Sequence, residues 1–202
     1  MKKIFFIAAA AAVLSAVISG GIGRAFAAGP EAKAVFVIAA KDFQDDELAK
    51  PLRMLKNSGV GVTVASTTLK QVSGMNGLIV KPHMLLKDVR AADFDAVVFI
   101  GGSGSVQYID DPVAHKLIYD AFVAKKVIGA ICLAPMILAR AGVLKYKRAT
   151  VYPSEAENFK ACGVHYTANP VEIYGNIVTA NGPAAAGEFG SALLTLLKGG
   201  NT

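Results

Sequence analysis

The chain has 202 residues, 53% of them hydrophobic and 18% charged, which supplies one substantial packed core and excludes disorder as a global description. No heptad pattern or internal repeat runs along it, so a long coiled coil and a solenoid are excluded. The net charge is +6, yet no Lys/Arg run and no basic helix with interleaved aromatics follows the N-terminal segment, and nucleic-acid binding is not expected.

Residues 1–27 read as a secretory signal: Lys2 and Lys3, the apolar run IFFIAAAAAVLSAVISG, then the small-residue site Ala25-Phe26-Ala27. Its removal near Ala28 takes away Lys2, Lys3 and Arg24 but no acid, lowering the net charge from +6 to +3. The expectation is a periplasmic or secreted protein without stable membrane association, its residues 28–202 forming a single domain. The alternative is a membrane anchor, because the apolar stretch to Gly23 is nearly long enough to span a bilayer; Gly20, Gly21 and Gly23 before the Ala-rich site favour cleavage.

From Lys33 onward, short apolar runs alternate with amphipathic stretches. AVFVIAA, DDELAKPLRMLKNSG and VGVTVAS predict strand, helix, strand, with Gly59 closing the helix. Gln71 to Lys81, with GMNG between small apolar groups, predicts a β-hairpin. Ala96 to Ile100 is a fully apolar strand ending in Gly101-Gly102, followed by a helix from Asp111 or Pro112 to Ala124 and a strand over Val127 to Ile131. Beyond these come a helix Pro135 to Ala141, a strand Ala149 to Tyr152, a helix Ser154 to Lys160, a β segment near Val164 to Thr167, a strand Asn176 to Ala180 and a helix Pro183 to Leu197. Strands without polar alternation are those covered by helices on both faces. The predicted fold is a doubly wound, mostly parallel α/β sandwich.

In such a sheet ligands bind just past the C-terminal ends of strands. Three places qualify: Asp42 to Glu47, Gly101 to Ser105, and Cys132. Cys132, in KVIGAICLAPMILARAG, stands where an apolar strand hands over to an apolar helix, the geometry of a nucleophile elbow. A helix N-terminus behind it would favour a thiolate; the plainer reading is a small core residue. Gly101-Gly102 would let backbone amides approach a ligand and, with the amide of Leu133, form an oxyanion hole; equally they would make a tight turn. FIGGSGS lacks the spacing and acidic partner of a dinucleotide site, and no cofactor is expected. Asp45, Asp46 and Glu47 suit the first turn of a helix through the macrodipole. Alternatively one of them turns inward, where a buried carboxyl stays partly protonated and donates to a thiolate. His83, His115 and His165 have no metal-ligand spacing, and no metal is expected. A Cys132–Cys162 disulfide is geometrically possible but conflicts with an exposed elbow sulfur; Cys162 reads as helix-end packing.

AAKDFQDDELAKP, FIGGSGS, AICLAPMILARAGVL, ATVYPSEAENF and IVTANGPAAAGEFG, in this order between Lys33 and Leu197, resemble the ThiJ/PfpI superfamily with its class I glutamine amidotransferase-like, flavodoxin-like sandwich. The resemblance implies that Cys132 is the elbow cysteine, Glu47 the buried glutamate beside it, Gly102 and Leu133 the oxyanion-hole amides, and that the protein is a homo-oligomer. Two positions depart from the pattern. PfpI-type peptidases carry a His directly after the cysteine, where this chain has Leu133. Deglycase-type members bring a His from before a Pro, where this chain has Tyr152 before Pro153; its phenol is a possible auxiliary group.

The expected function is that of a cysteine-dependent hydrolase or a glyoxalase or deglycase acting on a small carbonyl or amide substrate. Turnover should be slowed by the missing imidazole, since general acid–base help is typically worth about two to four orders of magnitude. The alternatives are an oxidative-stress sensor or chaperone of the same fold, and a binding module with a dead site.

Overall fold

The computed structural model describes residues 31–199, so the expected leader lies outside the described residues. The chain runs β1 (Lys33–Val37), α1 (Asp45–Asn57), β2 (Gly61–Ser66), β3 (Val72–Ser73), β4 (Ile79–Val80), β5 (Met84–Leu85), β6 (Ala96–Phe99) and α2 (Pro112–Val123). It continues through β7 (Val127–Ile131), α3 (Pro135–Arg140), β8 (Arg148–Ala149), α4 (Ala156–Ala161), β9 (His165–Tyr166), β10 (Val171–Tyr174), β11 (Ile177–Ala180) and α5 (Ala186–Gly199). Seven strands form the main sheet in the order β10-β11-β7-β6-β1-β2-β5, parallel throughout except for β10 at one edge.

Apart from Lys33 at the exposed start of β1, the central strands β1, β6 and β7 are apolar along their length because successive residues enter two different cores. Val35, Val37, Val97, Phe99, Ile128 and Ala130 face one side, where α2, α3 and α4 pack through Leu117, Ile118, Ile137 and Phe159. Ala34, Phe36, Ile38, Val98, Ile100 and Ile131 face the other, covered by α1 and α5 through Leu48, Leu55, Phe189 and Leu193. A doubly wound sandwich is therefore written into each strand.

Close contact between α1 and α5 depends on a missing side chain. A Cβ on Gly190 would lie 2.9 Å from Pro51 Cα, 3.1 Å from its Cβ and 3.3 Å from Met54 sulfur. Because Pro51 is backbone and ring rather than a flexible tip, Gly190→Ala is expected to destabilise the fold by about 1–3 kcal/mol despite the better helix propensity of alanine. A urea titration checks this; an unchanged midpoint would show that the two helices can part without cost.

Several predicted elements differ from those observed. Ala149 to Tyr152 is not a strand of the main sheet: only Arg148 and Ala149 pair, with β9, in a separate two-stranded ladder. Beyond them the backbone donors leave the ladder, Thr150 N–H going to Thr179 Oγ1 at 2.9 Å and Tyr152 N–H to the Cys132 carbonyl at 2.8 Å. The helix predicted from Ser154 begins as a 3-10 turn over Pro153–Glu155, and the last helix is likewise preceded by a 3-10 turn over Pro183–Ala185. Strands β5 and β10 were not predicted. In β10 the apolar run is broken by Glu172, which is buried against Arg148 at 3.1 Å and Asn169 at 2.8 Å, so the strand carries no continuous hydrophobic pattern. The Gln71 to Lys81 hairpin is present as β3 and β4.

Candidate active site

Cys132 is the residue on which β7 turns into α3. Its φ of 65° lies in the left-handed region, which costs a non-glycine residue free energy. Neighbouring backbone holds it there: the Cys132 N–H donates to the Ala180 carbonyl at 2.9 Å, and its carbonyl accepts from Tyr152 N–H at 2.8 Å. Buried β7 and β11 thus dictate the turn, while Pro135 at the start of α3 presets the outgoing helix. Cys132 is buried, with 6% of its surface exposed, which corrects the expectation of an exposed elbow sulfur: the turn is packed into the core formed with α1 and α5.

Two glycines form the wall beside the sulfur. A Cβ on Gly101 would stand 2.6 Å from Cys132 Cβ, Glu47 Oε2 and the Ile131 carbonyl oxygen alike. Gly102, with φ of 96°, lies so close to the Asp42–Gln44 backbone that a Cβ would meet the Asp42 oxygen and Gln44 nitrogen at 2.5 Å. The backbone amides of Gly102 and Leu133 both act on the Cys132 sulfur and favour its anion.

Glu47 reaches this point from the first turn of α1 and is fully buried. Its Oε2 accepts the Gly101 N–H at 3.1 Å. No geometric hydrogen bond reaches Oε1 from the described residues, yet the Cys132 thiol lies near enough for the carboxyl and the thiol each to shift the other's proton equilibrium. The turn itself is fastened by Gln44, whose side chain caps the Glu47 N–H at 3.1 Å and whose own N–H donates to the Gly101 carbonyl at 3.0 Å.

Burial governs the electrostatics. Desolvation raises the Glu47 carboxyl from its ordinary 4.5 to about 8, against the opposing pull of the Cys132 and Gly101 hydrogen bonds. The Cys132 thiol is pushed up to about 12, first by desolvation and then by the neighbouring Glu47 charge, with the two amides opposing. This corrects the expectation of a thiol lowered by its helix: α3 has only six residues, and its amides are outweighed by burial. The first proton therefore leaves the pair near pH 8 and leaves its charge mainly on the carboxylate, beside a thiol that still carries its own proton.

The acids of α1 have three separate fates rather than a common role at the macrodipole. Glu47 turns inward, Asp46 pairs on the surface with Lys50 at 3.1 Å, and Asp45 binds the hairpin. Its carboxylate accepts from Asn76 N–H at 2.9 Å and Leu78 N–H at 2.7 Å. Neither this clamp nor the Gln44 cap was foreseen; GMNG followed by free hairpin amides, with an acid at the nearby helix start, was the available clue. Asp45→Ala removes two charge-assisted bonds and is expected to cost about 2–3 kcal/mol. Hydrogen exchange should accelerate at Asn76 and Leu78 first, and unchanged protection there would refute the clamp.

Tyr152 joins the elbow through its backbone, while its ring lies against Gly182, 3.4 Å from the position of a Cβ there, and is half exposed. The histidines are engaged elsewhere. His83 Nδ1 accepts the Val64 N–H at 2.9 Å, His115 Nε2 meets the Ile109 carbonyl at 2.7 Å, and His165 lies in β9. Cys132 and Cys162 are both free thiols, Cys162 beside the Arg140 guanidinium. Among the described residues no group of three His, Cys, Asp or Glu could hold a metal ion.

A strained cysteine elbow, a buried glutamate and two facing amides on a doubly wound sheet narrow the comparison sharply. The DJ-1/PfpI family model matches residues 32–196. The chain belongs to the DJ-1/PfpI family. It is 40% identical over 173 residues to an uncharacterized protein of Methanocaldococcus jannaschii, covering 84% of each. To a deglycase of Pyrococcus abyssi it is 30% identical over 164 residues, 81% of this chain and 99% of the relative. A ThiJ/PfpI domain protein from Brachyspira murdochii shares its fold with a TM-score of 0.82 at 27% identity, over 85% of this chain and 99% of the other. The DJ-1/PfpI fold is the mostly parallel, flavodoxin-like sandwich expected from the sequence.

Proposed function

We propose that this DJ-1/PfpI-family protein is an exported cysteine-dependent enzyme acting on small carbonyl electrophiles such as α-oxoaldehydes or their adducts, with amide hydrolysis a less supported variant. The observation that carries the reading is the joint placement of the Cys132 elbow, buried Glu47, and the Gly102 and Leu133 amides. As the sulfur forms a bond to the carbonyl carbon, the thiol proton passes to the Glu47 carboxylate and the carbonyl π pair moves onto oxygen, which the two amides receive. Glu47 then takes the part of the absent imidazole, first as base and, once protonated, as acid toward the new oxyanion. Tyr152, whose N–H donates to the Cys132 carbonyl, is the residue whose phenol would serve as an auxiliary proton donor. The apolar leader in residues 1–27 supports export.

Cys132→Ala tests this reading. Methylglyoxal consumption and model amide hydrolysis are expected to fall by at least about a hundredfold, with the fold unchanged by circular dichroism. Unchanged rates would remove the sulfur from the chemistry.

The absence of an imidazole at Leu133 and Tyr152 favours a second reading, a sensor in which peroxide oxidises Cys132 to sulfenic or sulfinic acid. Intact-mass spectrometry after mild peroxide separates the two. Rapid stoichiometric oxygen addition at Cys132 in a protein without turnover supports sensing; oxidation no faster than at Cys162 speaks against it.

A further inference from the structure

We propose that the end of the molecule opposite Cys132 is a docking face for an anionic lipid bilayer. This proposal is independent of what Cys132 does. The face lies at the N-terminal ends of the parallel strands, where Lys126 precedes the five residues of β7 and Cys132 follows them, so that roughly 17 Å of strand separates the two ends.

A groove of about 490 Å³ opens on this face, bordered by Phe122, Val123, Lys125, Lys126, Lys147 and Tyr174, with Asp95 paired to Lys126 at its margin. Its apolar groups are unusually bare: Val123 is 62% exposed, and Tyr146, beside Lys147 in the chain, is 72% exposed. The cations lie over aromatic rings, Lys147 Nζ at 5.2 Å from the centre of Phe122 and Lys145 Nζ at 5.2 Å from that of Tyr146. Tyrosines and long-stemmed lysines presented together suit the headgroup boundary, where the apolar part of each side chain is buried and its polar tip stays wet.

Where the leader is retained, the anchor alternative to cleavage near Ala28, the course of the chain selects a bilayer over other anionic partners. Residues 4–20 form the apolar run IFFIAAAAAVLSAVISG, and the chain arriving from it enters the fold at this same end. The Lys33 amide, opening β1, donates to Asp95 Oδ2 at 2.9 Å, and Asp95 Oδ1 pairs with Lys126 at 3.5 Å on the groove wall. A bilayer holding the apolar run would be tethered to the groove by about twelve residues, a reach of at most roughly 40 Å. At that distance even weak headgroup contacts are made at high effective concentration. No helix among the described residues is long and apolar enough to cross a membrane, so the contact made by this part of the chain is peripheral. Docking in this way turns Cys132 toward the aqueous side.

The test is hydrogen exchange of the full chain mixed with vesicles of phosphatidylglycerol and phosphatidylcholine, or of phosphatidylcholine alone, so that the leader's own partition is common to both arms. Amides of residues 119–126, 145–147 and 173–176 are expected to exchange at least about tenfold more slowly on the anionic vesicles only, each lysine near an anionic surface contributing about a fivefold factor. High salt should release the protection, as should the triple variant Lys125→Glu, Lys126→Glu, Lys147→Glu. The corresponding glutamine triple variant, which adds no like-charge repulsion, should weaken it in the same direction. Equal protection on both vesicle types, or none on either, overturns the proposal. So does protection without vesicles at raised protein concentration, which identifies a second copy as the occupant, and protection by an RNA or an acidic protein but not by vesicles.

Discussion

Glu47→Gln is expected to make the protein more stable at neutral pH, and to do so by a margin that grows from pH 5 to pH 8. The fold raises the carboxyl from 4.5 to about 8, chiefly by desolvation, and so favours its protonated form. For a group shifted upward, the stabilisation is fully present below the unfolded value and is lost as pH rises through the folded value. At pH 7 the native protein has forfeited roughly 3 kcal/mol relative to acid conditions through this one side chain. Glutamine is neutral throughout, has nearly the same shape, and retains an oxygen for the Gly101 N–H. Thermal unfolding from pH 4.5 to 8 should show the wild-type midpoint falling while that of the variant stays nearly level, with a gap at pH 7 of roughly 10 °C. Parallel curves would mean that the carboxyl is hydrated in the native state, and the site would lose its base.

The second large effect is on the sulfur. Iodoacetamide alkylation of Cys132 is expected to rise through a step near pH 8, where the pair loses its first proton and Glu47 becomes able to accept the one on sulfur. A second rise should follow only at strongly alkaline pH, since the thiol itself is pushed up to about 12. In Glu47→Gln the first step should vanish and alkylation at pH 8.5 should slow by about a hundredfold, the usual worth of a positioned base. Cys162, half-buried at the end of α4, serves as an internal reference whose rate the substitution should leave alone. A Cys132 profile with the same step in both proteins would place the ionising group elsewhere. The two experiments are linked: the same buried carboxyl that costs stability supplies reactivity.

Much of this was legible in the sequence because it rests on local rules. Apolar runs too short for helices and too uniform for one-sided strands specify a sheet covered on both faces, and the paired cores around Val35 and Phe36 carry out that pattern. An apolar strand ending in Cys132 before Leu-Ala-Pro placed the elbow, and the GG after AVVFI placed its wall. The parts that were missed depend on distant partners. Nothing near Ala149 in sequence reveals that the next amides turn to Thr179 and Cys132, thirty residues later and twenty residues earlier, instead of extending a strand. Glu172 reads as a solvated residue until Arg148 and Asn169 arrive beside it. The state of the thiol was misjudged for a related reason. The helix amides that favour an anion are local and visible, whereas the burial and the acidic neighbour that oppose it come from β11, α1 and the Gly101 loop, assembled only by folding.

The packing of Gly101 has a stereochemical corollary. Gly101 packs so closely that a side chain there would collide with Cys132 Cβ, Glu47 Oε2 and the Ile131 oxygen, so its backbone closes one flank of the Cys132 side chain. A carbonyl whose oxygen is received by the Gly102 and Leu133 amides can then offer only one prochiral face to the attacking atom. Under the proposed reading, an aldehyde that adds there becomes a hemithioacetal carbon of one handedness; that centre is lost when the same carbon becomes the carboxyl carbon, so the hand of any 2-hydroxy acid is set instead by the face on which the neighbouring carbon is protonated.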